Sequence, residues 1–340
     1  MTPSHEAPAT VDGGEAVRVG DGRRAIRIPV TAARVPAPRV AGVGLLTGWG
    51  EGRAAFEGAH PNGPRGLVPV PTPALVGERF RRATRECLLA VAAARAAVAD
   101  AGLDPASIGG ERTAILYVSA TGYAAANRAF LEDEGSTTLH FPYTSPSAVP
   151  AEVTIEMGIR GPYVNLMGGA TAALQGFWYG ARWLTGGLAD RVLLVAVEAT
   201  HEVRDLFDRA RRLYRGPLVE GAACLVLVPG GAGDLRWASG LASGGSVGPT
   251  VDAVLGAVLR GSRPAHIASG ASGARFREAE RQALARRRLE VTVRKEPGEP
   301  LALAPLAAMA RVARPAAGSL VTATWKNDYG ALCWPRGSRG

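Results

Sequence analysis

The sequence predicts an α/β protein of sheets covered by helices, with two such units in tandem. Three observations carry this. Apolar, strand-like runs alternate with amphipathic helical stretches along most of the chain. The order of elements over residues 40–228 recurs in less space over residues 235–334. Strands in both units end in glycine-containing turns, Ala120-Thr121-Gly122 in the first and Ser269-Gly270 in the second.

Residues 1–38 precede the first unit. Residues 1–14 are polar and read as a flexible tail. Alternating residues 16–19 and 26–28 flank Asp21-Gly22, which predicts a short hairpin. Residues 33–38 hold two prolines and read as a linker. The first half, residues 39–231, opens on a strand at 40–46. A helix over 77–101 carries Phe80, Cys87, Leu88, Val91 and Val98 on its apolar side, and Gly102 and Pro105 stop it. A strand at 113–119 follows, then an irregular stretch, then a strand at 164–167 that runs into a helix over 171–184. Strands at 191–197 and 222–228 finish the half. The second half, residues 232–340, reads as strand 235–241, helix 251–259, strand 265–268, helix 275–287, strand 289–293, helix 301–313 and strands 319–324 and 331–334.

Composition narrows the function classes. With 340 residues, 47% apolar and 20% charged, the chain can bury a sizeable core. No apolar run reaches the length of a membrane span, and the N-terminus lacks an apolar signal segment. A soluble, cytoplasmic protein is expected. Cys87, Cys224 and Cys333 are far apart and the five histidines do not cluster, so neither a disulfide framework nor a metal site is expected. No phosphate-loop or dinucleotide fingerprint is present, and no cofactor is expected. The net charge is +9, and all 39 basic residues except Lys295 and Lys326 are arginine. These arginines are spread over many predicted helices without a nucleic-acid-binding pattern. They read as a solvated surface, or as one suited to an acidic protein partner, with neither nucleic acid nor membrane expected.

Several segments resemble the β-ketoacyl synthases. Val40-Ala-Gly-Val-Gly-Leu-Leu-Thr47 is similar to their first strand. Residues 96–105, AAVADAGLDP, resemble the end of their first long helix and its exit. Ser119-Ala-Thr-Gly122 resembles a strand-end turn, and Gly158-Ile-Arg-Gly-Pro162 the G-x-R-G-P before the nucleophile strand. Residues 189–198, ADRVLLVAVE, are similar to the strand after the nucleophile helix, and Glu220-Gly-Ala-Ala223 to a shortened G-E-G-A turn. The resemblance covers residues 38–334 and implies a thiolase-like five-layered αβαβα sandwich of two duplicated halves, the second shortened.

Such enzymes use a cysteine at a helix N-terminus as acyl acceptor and two histidines for decarboxylation and oxyanion stabilisation. The family's spacing puts the cysteine at Ala170, within Leu166-Met-Gly-Gly-Ala-Thr-Ala-Ala173. Ser269 takes the first histidine's place, with Glu280 at the matching helix position. Lys295 retains a family lysine, and Glu299 falls where the second histidine belongs. Trp325-Lys-Asn-Asp-Tyr-Gly330 replaces the G-F-G-G turn. No catalytic residue is therefore expected.

Each position also has a plain structural reading. Thr171 reads as a hydroxyl satisfying helix N-terminal N–H groups, Ser269 as strand-end turn chemistry, and His266 as a core or crevice histidine. Lys295 with Glu296 or Glu299 reads as an ion pair. As the resemblance implies, Tyr123, Phe130, Phe141 and Tyr143 are candidates to line an acyl tunnel, or else are core aromatics, and Met167 is a further tunnel candidate. Tyr163, Val164, Asn165 and Leu166 are expected at a dimer axis, as the resemblance implies. The reading that follows is a non-catalytic subunit resembling the chain-length factors of type II polyketide synthases. It would pair as a heterodimer with an active ketosynthase, shape the acyl tunnel and meet an acyl carrier protein. The alternatives are an enzyme with repurposed chemistry on a carrier- or coenzyme A-bound acyl chain, using Ser269, Glu299, Lys295 and Asp328, and a scaffold with a collapsed pocket.

Overall fold

Fully apolar strands need cover on both faces, and two sheets obtain it by sharing a pair of buried helices. The computed structural model describes residues 16–18, 25–27, 29–52, 55, 66–132, 140–209, 216–243, 245–293, 298–312 and 318–334. In chain order the elements of the first part are β1 Ala16–Arg18, β2 Ala25–Arg27, β3 Val30–Pro36, β4 Arg39–Thr47, β5 Gly50–Glu51, β6 Leu67–Val68, α1 Arg85–Asp100, β7 Thr113–Ser119, α2 Ala124–Glu132, α3 Ala148–Met157, β8 Tyr163–Met167, α4 Ala170–Thr185, β9 Arg191–Glu198, α5 Arg204–Arg209, β10 Leu218–Val219 and β11 Gly221–Val228. The second part holds β12 Asp234–Leu241, α6 Val247–Leu259, β13 His266–Ala268, α7 Ala274–Arg286, α8 Leu303–Val312, β14 Ser319–Trp325 and β15 Asp328–Trp334.

One sheet has the order β5-β4-β11-β9-β7-β8, the other β13-β14-β15-β12-β3. Helices α4 and α8 lie between them, α1 and α3 cover the outer face of the first sheet, and α6 and α7 cover the second. These are the five layers that the resemblance implies. The duplication is visible in the strand order. Numbered within its half, the first sheet runs 1-5-4-2-3 from β4 to β8, and the second runs 1-5-4-2 from β12 to β13. Pairing directions also match: β11 is antiparallel to β4 and β9 as β15 is to β12 and β14, and β7 is parallel to β9 as β13 is to β14.

The strand missing from the second sheet is the one expected at 289–293. There the chain makes only a parallel bridge, Ala268 to Val293. The Thr292 hydroxyl takes the Ile267 N–H at 2.7 Å, so a side chain supplies what a ladder bond would. Two further expectations are corrected. Residues 33–36, read as linker, belong to β3, which pairs antiparallel with β12 and places Pro36 at the strand's end. The helix expected from 77 begins at Arg85, because Thr84 is extended and caps it by accepting the Cys87 N–H; residues 78–82 form a separate 3-10 turn. The predicted hairpin is present as β1 paired antiparallel with β2, its turn lying outside the described residues.

Local sequence explains the tight layers. A Cβ at Gly42 or Gly44 of β4 would come within 2.1 and 2.0 Å of the Ala97 and Ala93 carbonyl oxygens, so α1 rests directly on the strand. The α1 face that meets it is correspondingly small, with Ala93, Ala94 and Ala97 buried. Strand β7 is buried along its whole length. An ion pair also crosses this half. Arg85 donates at 2.6 Å to Glu220, a fully buried carboxylate that also takes the N–H groups of Val70, Thr200 and His201. Despite its burial, the Glu220 carboxyl is held below its usual range by Arg85 and these N–H donors. Cys87, Cys224 and Cys333 are buried free thiols. Among the described residues no helix is long and apolar enough to cross a membrane.

Candidate functional site

A cavity of about 640 Å³ opens where the N-terminus of α4 faces α8 and the second sheet. Ala170, Ser269 and Glu299, separated in sequence by up to 129 residues, all line it. Lys295 lies outside the described residues.

Each residue is set by its own local structure. Ala170 is the first residue of α4, reached from β8 through Gly168-Gly169. A Cβ on Gly169 would lie 2.2 Å from the Trp325 ring, so that indole packs on the start of α4. Trp325 ends β14, at the hairpin turn into β15. Ser269 follows β13, and its turn is strapped to β14. Gly270 N–H donates to Thr322 Oγ1 at 3.0 Å and Ser272 N–H to Thr324 Oγ1 at 2.6 Å. Glu299 is fixed through its backbone, which bridges Leu218 of β10, while its carboxylate accepts the Ser272 hydroxyl at 2.9 Å. Leu301, Ala304 and Ala308 make an apolar wall, and the exposed Arg275 and Lys326 lie at the same cavity.

Three groups behind this lining were not foreseen as a network. Glu280 is buried and accepts the hydroxyls of Ser269, Thr322 and Tyr329. Burial raises its carboxyl above the usual range, and those three donors oppose the rise. Thr171 does not cap α4 as expected; its hydroxyl pairs with Asp328, whose carboxyl burial also raises. The third group is Glu198, the fully buried last residue of β9. It accepts the N–H groups of Ala120 at 2.9 Å, Thr121 at 3.2 Å and Ala302 at 3.1 Å, and the Thr121 hydroxyl at 3.1 Å. It thereby ties the exit of β7 to the segment that carries Glu299. The signal was present only as a glutamate ending an apolar run.

Burial pushes the Glu198 carboxyl up from 4.5 to about 7. The folded chain then holds a proton that the unfolded chain releases between those values. Stability from this group is full below about pH 4.5 and is lost as pH rises towards 7, by ~3 kcal/mol. Glu198→Gln should remove this component. Urea unfolding of both proteins from pH 5 to 7.5 checks it, and parallel pH curves for the two would contradict it.

The aromatic candidates are elsewhere. Tyr123, Phe130, Phe141, Tyr143 and Met167 do not line this cavity within the single chain. Phe130 meets Phe141 edge-on with centroids 6.0 Å apart, and the Tyr143 hydroxyl donates to Glu152 at 3.4 Å. Phe141 is 64% and Tyr123 36% exposed, so the core-aromatic alternative does not hold for these two, and Met167 is also exposed. His266 is exposed rather than a core or crevice residue. Tyr163, Val164, Asn165 and Leu166 lie on β8, the edge strand of the first sheet, with β7 on one side.

Residues 72–217 match the family model of the β-ketoacyl synthase N-terminal domain. The chain is β-ketoacyl synthase-like. It is 33% identical over 132 residues to the tetracenomycin polyketide synthase ketoacyl synthase alpha subunit of Streptomyces glaucescens, across 35% of this chain and 30% of that protein. It is 30% identical over 179 residues to the granaticin polyketide putative beta-ketoacyl synthase 1 of Streptomyces violaceoruber, across 43% of this chain and 42% of that one. The matches thus span less than half the length of these relatives. In fold, the ketosynthase-like chain superposes on the ishigamide ketosynthase/chain length factor with TM-score 0.70 and 19% identity, covering 89% of this chain and 100% of the other. A type II polyketide synthase ketosynthase solved with its acyl-carrier protein and bound to the hexaketide gives TM-score 0.71 and 14% identity, over 89% and 99% of the two chains. A beta-ketoacyl synthase from Burkholderia phymatum gives 0.66 and 18%, over 89% and 100%. The thiolase-type fold is common to all of them.

Proposed function

We propose that this chain is a non-condensing, ketosynthase-like subunit of type II polyketide assembly, in the manner of a chain-length factor. It pairs with an active ketosynthase and helps to shape the space in which that partner extends an acyl chain. The observation that carries this reading is the cavity itself. The positions that resemble the family's cysteine and two histidines converge on it as Ala170, Ser269 and Glu299. The enclosure is kept while the condensing groups are not.

Two observations support the partners. Among the described residues strand β8 leaves one edge open, and Tyr163 is 58% exposed. A second, ketosynthase subunit pairing along this strand would cover both. Arg275 and Lys326 beside the cavity suit an acidic carrier protein delivering an acyl group. The tunnel would then form between subunits, at Tyr123, Phe130, Phe141, Tyr143 and Met167, on and beside the exposed β8 face.

Reconstitution with an intact ketosynthase and carrier protein tests the tunnel. Truncating an aromatic opens space that neighbours refill only in part. Alanine at Tyr123, Phe130, Phe141 or Tyr143 should lengthen the products resolved by mass spectrometry. An unchanged length distribution from all four folded variants would remove the tunnel from the account.

A further inference from the structure

Ser269 and Glu280 form a pair that the non-condensing role does not use. The Ser269 hydroxyl donates to Glu280 Oε2. The other oxygen, Oε1, is anchored by the hydroxyls of Thr322 and Tyr329. Tyr329 is itself fully buried and stacks on Phe276, ring centroids 6.2 Å apart. The carboxylate is therefore locked from behind and presents one oxygen to the serine. Glu280 is 3% exposed, whereas Ser269 is half-buried and lines the cavity. A buried base behind a hydroxyl at an accessible cavity is the arrangement nucleophilic catalysis requires. The turn after Ser269 leads into α7, whose Gly273 N-cap supplies no side-chain bond. Gly273, Ala274 and Arg275 line the same cavity, so the N–H end of the helix and a guanidinium are there to meet negative charge.

We infer that Ser269 is a nucleophile with Glu280 as its general base, and that it takes the acyl group of a thioester bound in the cavity. Ser269 Oγ attacks the thioester carbonyl carbon and its proton passes to Glu280 Oε2. The carbon–sulfur bond breaks and the sulfur leaves as a thiol, carrying that proton. Water then attacks the resulting acyl-serine ester. Glu280 takes a proton from the water and returns it to Ser269 Oγ as the acyl–oxygen bond breaks. The net reaction is hydrolysis of a thioester to a carboxylic acid and a thiol. It forms no carbon–carbon bond and needs neither family histidine. Burial makes Glu280 more basic than a surface carboxylate, which favours the first proton transfer. The choice of a thioester rests on the ketosynthase-like reading; the reactivity of the serine does not.

The full chain is treated with a fluorophosphonate probe and, separately, with hexanoyl-N-acetylcysteamine, and adducts are mapped by peptide mass spectrometry. Wild type should carry the phosphonate on Ser269 and release N-acetylcysteamine, and Ser269→Ala should do neither. Glu280→Gln should slow labelling by roughly 100-fold, the scale of a general base. Should that buried substitution prevent folding, Thr322→Val keeps the carboxylate and removes one donor to it, so the pH midpoint of labelling should move up. No adduct on Ser269, or equal labelling of Ser269→Ala, overturns the nucleophile. An unmoved midpoint in Thr322→Val overturns Glu280 as base. Phosphonate labelling without thioester cleavage overturns the substrate class. Failure to pair with a ketosynthase would leave all of these results unchanged, so the two readings fail separately.

Discussion

Mixed with malonyl and acyl thioesters, the isolated chain is expected to form no condensation product. An acyl group must be held on a thiol before the extender's carbanion can attack it, and Ala170 offers no heteroatom at the helix start. Loss of a nucleophile alone commonly costs about a millionfold in turnover. Ala170→Cys should recover less than about a thousandth of a ketosynthase's rate, because groups that act as a unit do not rescue one another singly. Ser269 and Glu299 supply no imidazole, and Trp325 packs on Gly169 at the start of α4. Radiolabelled malonyl thioester and chromatography of the products measure this. The readout is a new carbon–carbon bond, so an ester on Ser269 cannot imitate it. Efficient condensation by Ala170→Cys would show that the remaining lining is a working ketosynthase site.

Asn165→Pro should abolish assembly with a ketosynthase while leaving the chain folded. The register explains why this residue is the one to change. Ile115 N–H donates to the Pro162 carbonyl at 2.9 Å, and Gly168 N–H donates to the Ser119 carbonyl at 2.9 Å. With a period of two along the strand, the even-numbered residues of β8 turn their backbone groups to β7 and the odd-numbered ones turn theirs outward. Proline at 165 removes an outward N–H and spares the internal ladder, whereas proline at 166 would break it. An obligate interface of this kind commonly buries more than about 2,000 Å², and a disrupted central strand pairing removes its register. Asn165→Ala keeps the N–H and should still assemble. Co-purification of all three forms with a tagged ketosynthase separates the outcomes. Retention of Asn165→Pro at wild-type yield would place the interface elsewhere.

The strands were legible because buried parallel strands read as apolar runs. Residues 113–119 are predicted and observed as one strand, and the 191–197 prediction differs from β9 by a single residue. Helices α2 and α3 were hidden within the irregular stretch. Prolines 142, 146 and 150 argue against helix there, yet Pro150 lies in the first turn of α3, where its missing N–H has no helical partner to lose. Strand β3 was misread for a related reason: two prolines outweighed a short alternation that only β12, some 200 residues later, makes sense of. At the site, the family resemblance pointed to Ala170, Ser269 and Glu299, and all three line one cavity. Spacing could not reveal that Ser269 bonds to Glu280. It also could not reveal that Thr322 and Tyr329, 42 and 49 residues beyond Glu280, anchor that carboxylate. Those contacts exist only once β14 and β15 lie beside α7.

Sedimentation velocity on the chain alone and co-expressed with an intact type II ketosynthase tests the partnership most directly. The account predicts a poorly soluble or self-associating chain in isolation, because the β8 edge and Tyr163 are uncovered. Co-expressed, it predicts a single 1:1 complex that persists on dilution. A well-behaved monomer whose sedimentation is the same with and without the ketosynthase would contradict it.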